Sequence, residues 1–176
     1  MSGVRFSVDD VPLETRFSVL TQISRAQHFA WREAVRRMFP DVDPAEVVNL
    51  MWEITGEQTA DSYAKRLDPA KPLANQVAQC IAWSSSCMGE DAVVEERDGE
   101  VFVKHVDCPW FHWHRRLGLL AEDRPGCDRW FAATLGALGK RFGTTLSFDT
   151  LETLPEGGSC CRRRIRATTG REPSGA

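Results

Sequence analysis

AVVEERDGEVFVKHV, residues 92–106, is the stretch on which the reading of the fold turns. Two valine-rich runs meet at Asp98-Gly99, the strongest short hairpin signal, because both central residues of such a turn need positive φ. Upstream, apolar residues recur at helical steps instead. LETRFSVLTQISRAQHFAWREAVRRMF predicts a helix with Phe17, Leu20, Ile23, Phe29, Ala30, Ala34 and Met38 on its core face, ended by Pro40. Asp43-Pro44 supplies an N-cap and an N1 proline for a second helix through Val47, Leu50, Met51 and Ile54, which Gly56 bends or splits. A third, PLANQVAQCIAWSSSCM, ends near Gly89.

Downstream of the hairpin, HVDCPWFHWHRRLGLL packs one cysteine, three histidines and two tryptophans into residues 105–120, with Pro109 placed to open a helical turn. PGCDRWFAATLGALGKRFG predicts a helix whose face is Trp130, Phe131, Leu135 and Leu138, with Cys127 and Asp128 near its start. TTLSFDTLETL reads as a strand, PEGGS as a turn and CCRRRIRAT as a last strand. The expected fold class is α+β: a helical N-terminal half (1–89) packed on an antiparallel sheet built as strand-strand-helix-strand-strand (90–167), in one domain. The polar tail, 168–176, is expected to be disordered.

The 176 residues match the length of one ordinary domain, and 42% hydrophobic with 27% charged residues is a soluble composition. A net charge of −3 argues against nucleic acid as a partner, since phosphate binding needs a positive face. No apolar run approaches a membrane-spanning length, and MSGVRFSVDDVPLETRF lacks a basic-then-apolar leader. A cytoplasmic protein acting on a small molecule, with no membrane partner, is therefore expected; the amphipathic helices leave room for a homodimer. In a reducing compartment six cysteines are not a disulfide framework, and no CxxC occurs. Cys80 and Cys87 are expected to be buried, inert thiols on the third helix.

The motifs CPW, PGCDRW and FDTLETLPEGGSCC resemble those of the L-2-amino-thiazoline-4-carboxylic acid hydrolase family. The matching positions are Cys108-Pro109, Cys127-Asp128, and Glu156-Gly157-Gly158 with Cys161, over roughly the last 70 residues. The resemblance implies a hydrolase opening a C–N or C–S bond of a small heterocyclic or amidine-like molecule. Arg162-Arg163 depart from the family's acidic-aromatic pattern after the last cysteine, and FHWHRRLGLL is more aromatic and basic than expected.

Several chemistries are open to these residues. Cys127, near a helix N-terminus, is expected to have a lowered thiol pKa; Cys127 or Cys161 is the candidate nucleophile, with Cys108 as companion, Asp128 as the orienting or proton-moving carboxylate and Glu156 as a second acid-base group. Gly157 and Gly158 let backbone N–H groups approach an oxyanion. The same trio, Cys108, Cys127 and Cys161, offers three ligands to a zinc ion or an iron–sulfur cluster. Trp110, His112 and His114 are candidate substrate contacts, read equally as packing. Arg162–Arg166 is expected to alternate between solvent and a packed stem on an edge strand. A binding domain of the sensor type, with a cysteine-lined pocket and no turnover, is the alternative function.

Overall fold

The computed structural model describes residues 7–169. Three helices come first: α1 (Leu13–Met38), α2 (Pro44–Ala64) and α3 (Leu73–Cys87). A hairpin follows, β1 (Asp91–Arg97) and β2 (Glu100–Asp107), then α4 (Pro109–Leu117) and α5 (Leu120–Phe142), and finally β3 (Thr144–Glu152) and β4 (Cys161–Thr169). The α+β architecture is as expected. Asp98 and Gly99 take φ of 54° and 77°, the two left-handed residues a primed turn requires, and Arg97 pairs with Glu100 across it. β4 extends two residues past the expected boundary, and the rest of the tail lies outside the described residues.

The four strands are antiparallel in the order β1-β2-β4-β3, so β4 is an inner strand and not the edge strand the arginine run suggested. Its alternation places Cys161, Arg163 and Ile165 toward the core. Arg162, Arg164 and Arg166 face outward to Glu95, Glu100 and Asp149. Helices α3 and α5 cover the inner face: Val77 and Ile81 of α3 and Phe131, Leu135 and Leu138 of α5 share one buried cluster with Val101, Val103, Leu146 and Ile165 of the sheet. Helix α2 runs unbroken through Gly56. A Cβ there would lie 2.7 Å from the Trp130 carbonyl oxygen, so glycine is what lets α2 approach α5. Cys87 is exposed, against the expectation of burial, and Cys80 half-buried.

Two helices differ from the sequence reading. On α1 the buried residues are Thr21, Arg25 and Phe29, while Phe17, Leu20, Ile23 and Met38 are exposed. Arg25 turns inward because its guanidinium donates to the Met88 carbonyl at the end of α3. Helix α5 begins at Leu120, not near Pro125. Gly118, at φ 72°, closes α4, and α5 starts at once; Pro125 then forgoes only the bond to the Ala121 carbonyl.

Candidate functional site

A cavity of about 660 Å³ opens where α1, α2, α4 and α5 meet the end of the sheet. It has the size and apolar wall of a small-molecule site. Each element sends in a side chain for a local reason. Trp52 of α2 fits because α5 carries glycine opposite it: a Cβ on Gly126 would lie 2.8 Å from the indole Cδ1. His105 and Cys161 are cross-strand partners of β2 and β4, as are Val103 and Arg163. Cys108 is the N-cap of α4, whose first residue is Pro109, and Trp110 and His114 project from the same helix. Glu90 follows Gly89, whose φ of 77° turns the chain from α3 into β1.

All three cysteines of the sequence reading line this cavity, as do Trp110 and His114. The thiols are not activated as expected. Cys127 lies beyond the second turn of α5, far from the helix dipole's positive end, and burial pushes its thiol up to about 12. Burial also raises Cys161. Cys108 is the thiol that occupies a helix N-terminus. Burial holds it well above its ordinary value, Glu90 and Cys127 add to that, and the Phe111 backbone N–H pulls the other way. Among the described residues no group of three or more His, Cys, Asp or Glu side chains is arranged to hold a metal ion.

The other sequence candidates lie outside the cavity. Asp128 stands behind Arg163, accepting from its Nη2 at 2.9 Å and from Thr150 Oγ1 at 3.0 Å. Glu156 is exposed and accepts from Arg124 and from Thr153 Oγ1. Gly157 and Gly158 complete the turn beside it. His112 is exposed, 2.6 Å from Asp107 Oδ1.

The cavity also holds groups the sequence did not single out. Burial raises the Glu90 carboxyl to about 7, with Ser85, Arg25 and Trp110 opposing the shift. His105 Nε2 lies 3.0 Å from Ser85 Oγ and 3.4 Å from Glu90 Oε2, and burial lowers its pKa to about 4. His28 is likewise lowered to about 4, by burial and then by His114. Asp123 is buried with its Oδ2 3.0 Å from His114 Nδ1, a nitrogen that also lies 2.9 Å from the Trp110 carbonyl. Arg163 is 2% exposed and stacks over Phe131 at 4.5 Å. Burial works against its charge, but the Asp128 carboxylate that accepts from it holds the guanidinium charged. Only Arg163 had a sequence signal: it shares the inward parity of Cys161 and Ile165. Glu90 and Asp123 sit at a strand start and in a first helical turn, where carboxylates are ordinarily solvated.

Among solved structures, a trafficking protein particle complex subunit 3 from Naegleria fowleri, covalently bound to palmitic acid, superposes with a TM-score of 0.56 at 13% identity. That match covers 88% of this chain and 99% of the other, a likeness of fold. The phenol-responsive sensory domain of the transcription activator PoxR, with phenol, gives a TM-score of 0.47 at 16% identity, over 80% of this chain and 72% of that one. No curated protein matches the chain significantly. The sequence model of the L-2-amino-thiazoline-4-carboxylic acid hydrolase family matches residues 20–165. Since that match runs from α1 to β4 and takes in every cysteine of the cavity, the chain belongs to the L-2-amino-thiazoline-4-carboxylic acid hydrolase family.

Proposed function

We propose that the cavity is a hydrolytic site for a small amidine-like or thiazoline-like molecule, with Glu90 moving protons and Cys108 as nucleophile. One observation carries the reading: Glu90, a largely enclosed carboxyl that burial raises to about 7, lines the same cavity as Cys108, a buried thiol at the N-terminus of α4. A base with a pKa near the working pH combines availability with driving force. Because burial holds the Cys108 thiol well above its ordinary value, Glu90 takes its proton in concert with attack, and the Phe111 N–H and the helix terminus favour the charge that develops on sulfur. Attack on the amidine-like carbon makes a C–S bond to the enzyme. The ring C–N or C–S bond then breaks, and the departing atom takes the proton from Glu90. Water, deprotonated by the same carboxylate, releases the product and restores the thiol.

Arg163, held in place by Asp128, supplies the cation that a substrate carboxylate would meet. Trp52, Trp110 and Trp130 offer flat walls to a ring. Cys127 and Cys161 stay protonated and shape the cavity floor. The test is turnover of L-2-amino-thiazoline-4-carboxylate by the wild type, Glu90→Gln and Cys108→Ser, each checked for a cooperative melt. A loss of about 100-fold or more in kcat for both variants is expected. Activity within a few-fold of wild type in either variant refutes its assigned role.

A binding domain without turnover is the second reading, favoured by a cavity with room for far more than one five-membered ring. It expects no hydrolysis of any thiazoline or amidine tested, with thermal stabilisation by aromatic ligands instead.

A further inference from the structure

Helix α1 spans 26 residues, yet only Thr21, Arg25 and Phe29 are buried. Most of its large apolar side chains lie elsewhere: Val19 and Ile23 are exposed to one side, and on the line between them and the buried face Leu13 is 71% exposed, Leu20 64%, Trp31 74% and Met38 71%, with Phe17 at 40%. The residues on that line are not scattered. They fall at alternating steps of four and three along the helix, the spacing of a seam that another helix covers. Ser24, Gln27 and Ala34 fill the remaining positions, so the seam carries no charge from end to end. A helix of this kind gains nothing from leaving such a seam in water.

The order of residues along the seam is matched to itself in reverse. Laid antiparallel on a second copy, Leu13 faces Met38, Phe17 faces Ala34, Leu20 faces Trp31 and Ser24 faces Gln27. Leu13 meets the flexible Met38, Phe17 the small Ala34 and Leu20 the flat face of Trp31, and the two polar positions meet each other at the centre, where a polar layer fixes register. At roughly 200 Å² for a large side chain, the α1 seam leaves about 600 Å² uncovered per copy. Val47, Leu50 and Ile54 of α2, all exposed, add roughly 250 Å² on the same basis. Together these areas are comparable with the roughly 800 Å² each partner contributes to a standard interface.

We infer that this face binds a second copy of the chain, α1 against α1 about a two-fold axis between residues 25 and 26. The consequence reaches the cavity. Ser24 and Trp31 belong to the seam and also line the cavity, and Val47 stands across from them. In the antiparallel register the second copy's Leu20 rests on Trp31 and closes the α1 edge of the cavity, so each site is completed by its neighbour. The pairing is the same whether the cavity hydrolyses its ligand or only binds it.

Sedimentation of the full chain at micromolar concentration tests it. The expected species has twice the 19.8 kDa chain mass. Leu20→Glu, at an exposed position and therefore compatible with folding, should weaken the dimer by about 30-fold or more with an unchanged circular dichroism spectrum. Orientation is tested in a Cys87→Ser background by mixing the Ser24→Cys and Gln27→Cys variants: oxidation should crosslink the mixture in preference to either variant alone. A monomer at micromolar concentration, a dimer indifferent to Leu20→Glu, or a Ser24→Cys variant that crosslinks best to itself each overturns the inference.

Discussion

Glu90→Gln should make the protein more stable at pH 8 while abolishing the proposed hydrolysis. In the folded chain burial raises this carboxyl from 4.5 to about 7. Below pH 4.5 it is protonated in both states and the substitution changes little. Between 4.5 and 7 the unfolded chain ionises while the folded chain keeps its proton, so wild-type stability is progressively lost as pH rises. Above 7 both states are ionised, and the folded state bears a constant cost of about 3 kcal/mol, from 1.36 kcal/mol per pKa unit. Glutamine keeps the shape without the charge, so the variant escapes that cost. It also deprives Arg25 of a nearby carboxylate, which makes about 3 kcal/mol a ceiling. His28 and His105 slope the other way. With pKa values lowered to about 4, they cost the wild type stability as pH falls below 6.5, and they do so equally in the variant. The difference between the two proteins therefore isolates Glu90. Urea unfolding followed by tryptophan fluorescence at pH 4.5, 6 and 8 should show a gap near zero, then growing, then up to about 3 kcal/mol. In melting temperature the full gap is about 6–12 °C for a chain of this size. A gap that stays the same from pH 4.5 to 8 refutes the assignment of Glu90 as a buried, poised carboxyl, and with it the proton transfer built on that.

Asp128→Ala strips the carboxylate that is hydrogen-bonded to the buried Arg163 guanidinium and should cost about 3 kcal/mol; adding Arg163→Met should recover most of it, which chemical denaturation of the single and double variants measures. Brief alkylation of the native protein near pH 8 should mark Cys87, the exposed thiol, and spare Cys108, Cys127, Cys160 and Cys161 until urea is added, as peptide mass mapping would show.

The parts of the fold that were legible are those where one residue type has one local solution. Asp98-Gly99 could only be a tight turn between strands, and Asp43, which accepts from the Ala45 N–H, caps α2 as read. The start of α5 was not legible, because Pro125-Gly126 looks like a helix boundary. The true boundary, Gly118, costs the chain one left-handed residue and leaves Pro125 with one missing bond. That shift of several residues is what moved the helix terminus away from Cys127. It left Cys108, at the start of the preceding helix, as the thiol with a dipole behind it. The trio of cysteines lines one cavity, and the proposed nucleophile passes from Cys127 to Cys108.

The site itself shows why side-chain chemistry is harder to read than topology. Arg163 looks like one of four arginines in five residues, and composition alone assigns all of them to solvent. Parity assigns it otherwise, because Cys161 and Ile165 on the same strand face the core. An inward arginine is tolerable only with a carboxylate partner, and α5 provides Asp128 at hydrogen-bond distance. Of the two roles open to Asp128, orienting or moving protons, its position fits the first: it holds the Arg163 guanidinium that lines the cavity and stays out of the cavity itself. Glu90 is the converse case. Nothing in GEDAVV distinguishes it from the solvated acids around it, since its character comes from what α1, α3 and α4 pack against it: Arg25, Ser85 and Trp110. A carboxyl acquires a pKa of about 7 only from a tertiary environment, and no local pattern encodes one.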